Sequence, residues 1–195
     1  MFATRTSLAA AFLTAAVAFV VVPSGDAAVA LGETTYTFDV AMDGTSFFFE
    51  GDTTPSGVPA KGTPFVVEGY IYPEGTFEKY GPLSGVNLDG SPEFPEEVLG
   101  LWSCRGWHLL DGDAPSGPVV VTNQYFDFSP ERPGAQTIVT DGIELADFDV
   151  TFERAITGGT GRFRNLQGAH TQTYVGGDVS ATGGFNAVMS FTAEN

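Results

Sequence analysis

The chain has 195 residues, with 24 Asp or Glu against 8 Lys or Arg and a formal net charge of -16. So acidic a balance argues against nucleic acid and anionic membrane as partners, because neither gains from a negative surface. Cys104 is the single cysteine, so no intrachain disulfide can form and stability has to come from a packed core.

Residues 1–30 read as a secretory signal peptide. Met1 to Thr6 carries one positive charge, Arg5; Leu8 to Val22 is an uncharged apolar run; and Ala28-Val29-Ala30 offers a small-x-small cleavage site. An uncleaved anchor is the alternative, since the run is near the lower limit for spanning a bilayer. On the first reading the mature chain begins near Leu31 and is secreted, to the extracellular space or to the periplasm and envelope, with no membrane attachment. Residues 31–195 then form one domain of about 165 residues, long enough to bury a sizeable core.

Beyond that segment glycine and proline recur too often, at 25 and 12 in the full chain, to permit a long helical period. Between them lie short runs rich in Val, Ile, Phe, Tyr and Thr. Thr34 to Ala41 alternates as a first strand, Ser46 to Glu50 is a short aromatic second, and Pro64 to Tyr72 is a third. Tyr80 to Glu97, broken by Gly81-Pro82, Asp89-Gly90, Pro92 and Pro95, is a lid, a wrapped surface loop or a plain connector. Further strands are expected over Val98 to Leu110, Pro118 to Phe128, Gln136 to Thr140, Leu145 to Thr157, Phe163 to Val175 and Phe185 to Thr192. About eight or nine strands at hairpin spacing are the signature of an antiparallel barrel or sandwich. The short connections favour an up-and-down meander, and closure would remove exposed edges.

The most distinctive stretch is Ala155-Ile156-Thr157-Gly158-Gly159-Thr160-Gly161-Arg162-Phe163, followed by Gly168. Its three glycines in four residues supply the positive φ that a tight strand connection needs. This stretch resembles the allene oxide cyclase and dirigent superfamily of small β-barrels. Cyclases of that superfamily carry Ala-Ile-Thr-Gly-Gly-Ser-Gly-x-Phe. Dirigent proteins carry Gly-Gly-Thr-Gly-x-Phe with a downstream Arg-Gly, where this chain has Gln167-Gly168. The strand Gly100 to His108, the strand Val119 to Phe128 and the terminal strand Phe185 to Phe191 fall in the order the family has. The resemblance implies an all-β fold: a closed, calycin-like barrel of eight antiparallel strands with a mainly apolar cavity open at one end. Members are often trimeric, so a homotrimer is among the assemblies it implies. In characterised members the cavity folds a reactive substrate into one ring or one stereoisomer; for an apolar substrate handled that way here, no cofactor is expected. The chain departs from many dirigent proteins in lacking their disulfide cysteines.

Strand parity and this resemblance together nominate site residues. In Val98 to Leu110 one face carries Trp102, Cys104, Gly106 and His108, and the other Leu101, Ser103, Arg105 and Trp107. Aligning Gly106 with the family glycine places His108 where cyclases have a cavity cysteine, so the first face is expected inside. His108 is then a candidate acid or base, against the alternative of a structural histidine. Trp102 and Cys104 are expected to line the cavity, with Cys104 either a nucleophile or a small hydrophobe. In the next strand Val119, Val121, Asn123, Tyr125 and Asp127 share a face. Because cyclases place a cavity tyrosine near the end of this strand, Tyr125 is a candidate substrate contact and Asp127 a candidate acid. Tyr36-Thr37-Phe38-Asp39 resembles a dirigent Phe-Phe-His-Asp segment whose aspartate lies in the pocket, making Asp39 a third candidate acid. Arg154 is expected to neutralise a carboxylate or hold an acidic ligand, or else to form a surface ion pair.

No metal site is expected. Asp111-Gly112-Asp113 lacks the later ligands of a calcium loop, and His108 and His170 are the only histidines. Gly158-Gly159-Thr160-Gly161 lacks the Gly-Lys-Ser/Thr ending of a phosphate loop, and no Gly-x-Ser-x-Gly is present. Three readings stay open: a cofactor-independent isomerase or cyclase, a non-catalytic binder of an apolar small molecule or guide of its coupling, and a structural barrel filled by its 17 Phe.

Overall fold

Runs of β-branched and aromatic residues, cut by glycine and proline turns, pair here with their neighbours in sequence. The computed structural model describes residues 33–194, and the expected signal segment, residues 1–30, lies outside the described residues. The strands are β1 (Glu33–Phe49), β2 (Pro64–Pro73), β3 (Gly100–His108), β4 (Val119–Asp127), β5 (Thr137–Leu145), β6 (Thr151–Gly159), β7 (Gly168–Tyr174) and β8 (Ala187–Glu194). Each pairs antiparallel with the next, and β8 returns to β1 from Glu33↔Glu194 to Val40↔Ala187, closing an eight-stranded barrel. The expected all-β barrel is what forms. A five-residue helix, α1 (Thr76–Tyr80), and two single 3-10 turns complete it.

Three element boundaries differ from expectation. The first two expected strands are one, β1, whose pairing with β2 slips between Asp43 and Phe48. The expected break between Thr140 and Leu145 is absent, because β5 runs through it in register with β4. The chain turns later, where Asp149 adopts φ 58 and Phe148 bridges to Tyr174. The glycine stretch is not a tight hairpin between Thr157 and Phe163 either. β6 continues to Gly159, and a 3-10 turn at Gly161–Phe163 follows. Gly161 sits at φ 58, and a Cβ there would lie 2.4 Å from the carbonyl oxygen of Ala135, so only glycine fits.

That turn delivers Phe163 into one end of the barrel, where its ring meets Phe128 at 5.2 Å and Tyr36 at 6.5 Å between centroids. Phe38, Phe126, Phe191, Ile138 and Ile156 fill the same end. Edge-on and tilted packing of these rings, such as Phe126 on Phe191 at 4.8 Å and 85°, makes a solid plug. The segment between β2 and β3 is the wrapped surface loop among the expected alternatives, not a lid or a bare connector. It lies on the outer face of β1 and β2, where Phe77 and Val86 pack with Ala41 and Tyr72 in a second, smaller core. Tyr72 donates from its hydroxyl to the carbonyl of Gly85 at 2.7 Å, pinning the cover.

Candidate functional site

The end opposite the plug is open. There β3, β5 and β7 finish and β2, β4 and β8 begin, leaving a cavity of about 330 Å³. Its walls are Met42, Phe65, Val67, Val120, Ala146 and Phe185, with Phe47 at the rim. Trp102, Cys104, Glu144 and Tyr174 form its inner part, and His108 lines it on the β3 side. Glu144 is the one acidic residue among those lining it.

Beneath this floor the barrel interior is polar. Arg154, on β6, donates from Nη1 to Glu144 Oε2 at 2.8 Å and from Nη2 to the carbonyl of Thr122 at 2.9 Å. The Thr122 hydroxyl accepts from Arg154 Nη1 and donates to Glu144 Oε2 at 3.0 Å. Gln124 Nε2 donates to Gln172 Oε1 at 2.9 Å and reaches Glu144 Oε2 at 3.3 Å. On the other oxygen, Glu144 Oε1 accepts the phenolic hydrogen of Tyr174. The ion pair is buried on both sides, at 0% and 4% side-chain exposure, so each charge depends on the other. Gly142 makes room for it: a Cβ there would stand 3.3 Å from both Cβ and Cγ of Arg154.

Burial and the neighbouring Glu144 charge push the Tyr174 phenol well above its usual range, so it stays a hydrogen donor. Burial, with Glu144 again adding, pushes the Cys104 thiol well up too. Cys104 is therefore a small apolar wall residue in its thiol form, and a nucleophilic thiolate has no support there. Deeper still, His170 lies flat on Phe191 at 4.5 Å, and neither ring nitrogen has a partner. Burial, then the Arg154 charge, lowers its pKa to about 3. Among the described residues no group of three or more His, Cys, Asp or Glu side chains is placed to hold a metal ion.

Of the residues nominated from sequence, Trp102, Cys104 and His108 share the cavity wall, on the face parity assigned to them. Arg154 is inside but bonds to Glu144 below the cavity, so it is a buried pair and not a surface one. The other three lie elsewhere. In β4 the buried face is Val120, Thr122, Gln124 and Phe126, so Tyr125 and Asp127 point outward. Tyr125 accepts from Arg105 Nη2 at 3.0 Å, and Asp127 accepts from the backbone of Ser129 and Gly134 at 2.9 and 2.6 Å in the next turn. Asp39 is on the outer face of β1, buried under α1, where it accepts from the Phe77 N–H at 2.8 Å. Glu144, Tyr174, Thr122, Gln124 and Gln172 were missed. The signal available was Arg154 itself: it shares strand parity with Ile156, and an inward arginine requires an inward acid.

No protein-family model matches the chain, and no curated protein matches it in sequence. Solved structures do match. The pterocarpan synthase dirigent protein PsPTS1 superposes with a TM-score of 0.57 at 17% identity, covering 84% of this chain and 96% of that one. The pterocarpan synthase dirigent protein GePTS1 gives 0.56 at 15% identity, covering 95% and 100%. A pyocyanin demethylase gives 0.51 at 17% identity, covering 80% and 98%. At these identities the likeness is one of fold, a dirigent-type β-barrel, and transfers no residue role.

Proposed function

We propose that the barrel binds an apolar small molecule in the open cavity and directs its ring closure or stereochemistry. The observation that carries this reading is the pairing of Glu144 and Tyr174 at the inner end of a mainly apolar cavity. Apolar walls with a few convergent polar groups are the usual make-up of a small-molecule site. The walls hold one conformer of a flexible substrate, so that its reacting atoms meet in a single geometry. Glu144 accepts a hydrogen bond from the substrate, Arg154 fixes the carboxylate's orientation and balances its charge, and Tyr174 remains protonated beside it. Fold neighbours whose names tie them to pterocarpan synthesis and to pyocyanin support a small-molecule role. Export, read from residues 1–30, and a homotrimer, implied by the family resemblance, belong to the same proposal.

A second reading, binding without chemistry, is favoured by one fact. Asp39 and Asp127 face away from the cavity, so a single, already neutralised carboxylate lines it. Native mass spectrometry of the protein purified from its own culture separates the readings when joined to product analysis. A retained small molecule is identified, and its open-chain precursors are incubated with and without protein and resolved by chiral chromatography. One ring or one enantiomer in excess, lost in Glu144→Gln, supports direction of chemistry. Unchanged product ratios with tight binding favour the binder. No retained molecule and no uptake from an apolar panel overturn both.

A further inference from the structure

We propose that the cavity selects a neutral molecule bringing its own hydrogen-bond donors, a hydroxyl or N–H on each of two sides of an apolar body. Anions and molecules that only accept are rejected. The inference rests on the small-molecule reading above and names the class of that ligand.

It follows from what the lining side chains have left to offer. Trp102 spends its Nε1–H on Gln124 Oε1 at 3.4 Å, and Tyr174 spends its hydroxyl hydrogen on Glu144. The Thr182 hydroxyl at the rim accepts from Gly44 N at 3.2 Å and shares a bond with Ser180 Oγ at 3.1 Å. His108 Nδ1 lies 3.2 Å from the carbonyl oxygen of Thr63. A carbonyl only accepts, so that bond assigns the ring hydrogen of a neutral imidazole to Nδ1 and leaves a lone pair on Nε2. Cys104, held as a thiol, is only a weak donor. Inside the rim, three strong groups keep capacity toward a ligand: the second lone pair of Glu144 Oε1, the phenolic oxygen of Tyr174, and His108 Nε2. All three accept.

Charge narrows the class further. Arg154 and Glu144 sum to zero at 2.8 Å, so a buried cation would find no net countercharge. An anion would face a carboxylate with no free donor to solvate it. Spacing sets the two sides. His108 and Glu144 both pair with Val120 from opposite sides, two strand intervals apart, or about 9–10 Å between Cα positions. His108 leans on Phe65 near the mouth, and Glu144 reaches down to Thr122 and Arg154. A ligand lying between them meets one acceptor on each side and apolar surface elsewhere.

The test uses four probes of one shape against the purified protein in isothermal titration calorimetry: 2-naphthol, 2,6-dihydroxynaphthalene, 2-fluoronaphthalene and 2-naphthoate. The donors should bind best, with the fluoro and carboxylate probes weaker than 2-naphthol by about tenfold or more. The second hydroxyl should add about threefold to tenfold. His108→Phe, which keeps a ring against Phe65, should erase that added gain, so that 2,6-dihydroxynaphthalene binds the variant no better than 2-naphthol does. If 2-fluoronaphthalene matches 2-naphthol, or 2-naphthoate binds tightest, the inference fails while the binding barrel stands. An unchanged gain in His108→Phe overturns the two-sided arrangement. If no probe binds, the small-molecule reading itself falls and takes the inference with it.

Discussion

Mild acid should weaken this barrel through His170, and the size of the effect can be worked out beforehand. The imidazole is fully buried between Phe191, stacked at 4.5 Å, and the edge of Phe126 at 5.5 Å, and it is paired across strands with Arg154. Burial and the Arg154 charge hold its pKa at about 3 in the folded chain, against 6.5 for the free side chain. Unfolded protein therefore binds a proton at pH values where folded protein does not. Stability supplied by neutral His170 is full above pH 6.5 and lost as pH falls toward 3. At about 1.4 kcal/mol per unit, the drop from pH 6.5 to 4 removes roughly 3 kcal/mol. Urea unfolding of the parent and of His170→Leu at pH 7, 5.5 and 4 measures it. The variant has its own packing penalty at every pH, but its stability should fall by about 3 kcal/mol less over the interval. Parallel pH profiles, or an NMR titration of His170 with a midpoint near 6, would refute the reasoning.

Arg154→Met strands Glu144 without its countercharge and should cost about 3–5 kcal/mol, lowering the melting temperature by about 6–20 °C. Adding Glu144→Gln should recover more than half of the loss, and strict additivity in calorimetry would sink the coupling. Gly142→Ala pushes a methyl to 3.3 Å from an arginine whose head is pinned, and should cost about 1–2 kcal/mol. The same change in an Arg154→Met background, where the side chain is free to swing, should cost little in thermal melts. The two outward aspartates should respond to pH with opposite signs. Burial raises Asp39 despite its bond from Phe77, so stability falls as pH rises through its folded pKa. Asp39→Asn should then gain on the parent at pH 7 and lose that gain below pH 4. For Asp127, desolvation pushes upward but the bonds from Gly134 and Ser129 outweigh it and hold the carboxyl low. Asp127→Asn should therefore be the weaker protein at pH 7, with the deficit fading in acid, as melting curves against pH would show.

What the sequence made legible was set by where the barrel interior is apolar. In β3 Trp102, Cys104 and Gly106 alternate with Ser103 and Arg105, and the alignment of Gly106 with the family glycine chose the inner face correctly. The glycine stretch was also readable as a connection, though its 3-10 turn and the role of Phe163 as a plug came from packing against Phe128 and Tyr36. In β4 the family resemblance points to the outward face, and apolar patterning could not correct it or find the inner face of β5, because the middle of this core is a polar belt. Thr122 and Gln124 point inward beside outward Val121 and Tyr125, and Glu144 is buried while Ile143 is 60% exposed. A rule that seeks the apolar face must fail on strands whose inner face carries the polar groups.

The three acids chosen or missed sharpen this into a usable criterion. Asp127 ends β4 just before a turn, whose backbone N–H groups from Ser129 and Gly134 satisfy it locally, whereas Asp39 lies mid-strand and is satisfied by the Phe77 N–H of the helix that covers it. An aspartate just before a turn therefore carries little information about a pocket, because the turn already accounts for it. Glu144 has no such local partner, and its donors come from β4, β6 and β7. Only a buried cation could have announced it. Arg154 lies on the inward parity of β6 with Ile156, and the antiparallel neighbour of that strand offers Glu144 within reach. In a barrel this acidic, with carboxylates on every strand connection but that between β6 and β7, the scarce charge is the informative one. Following the inward arginine to its counterion leads to the inner end of the cavity more directly than ranking the acids does.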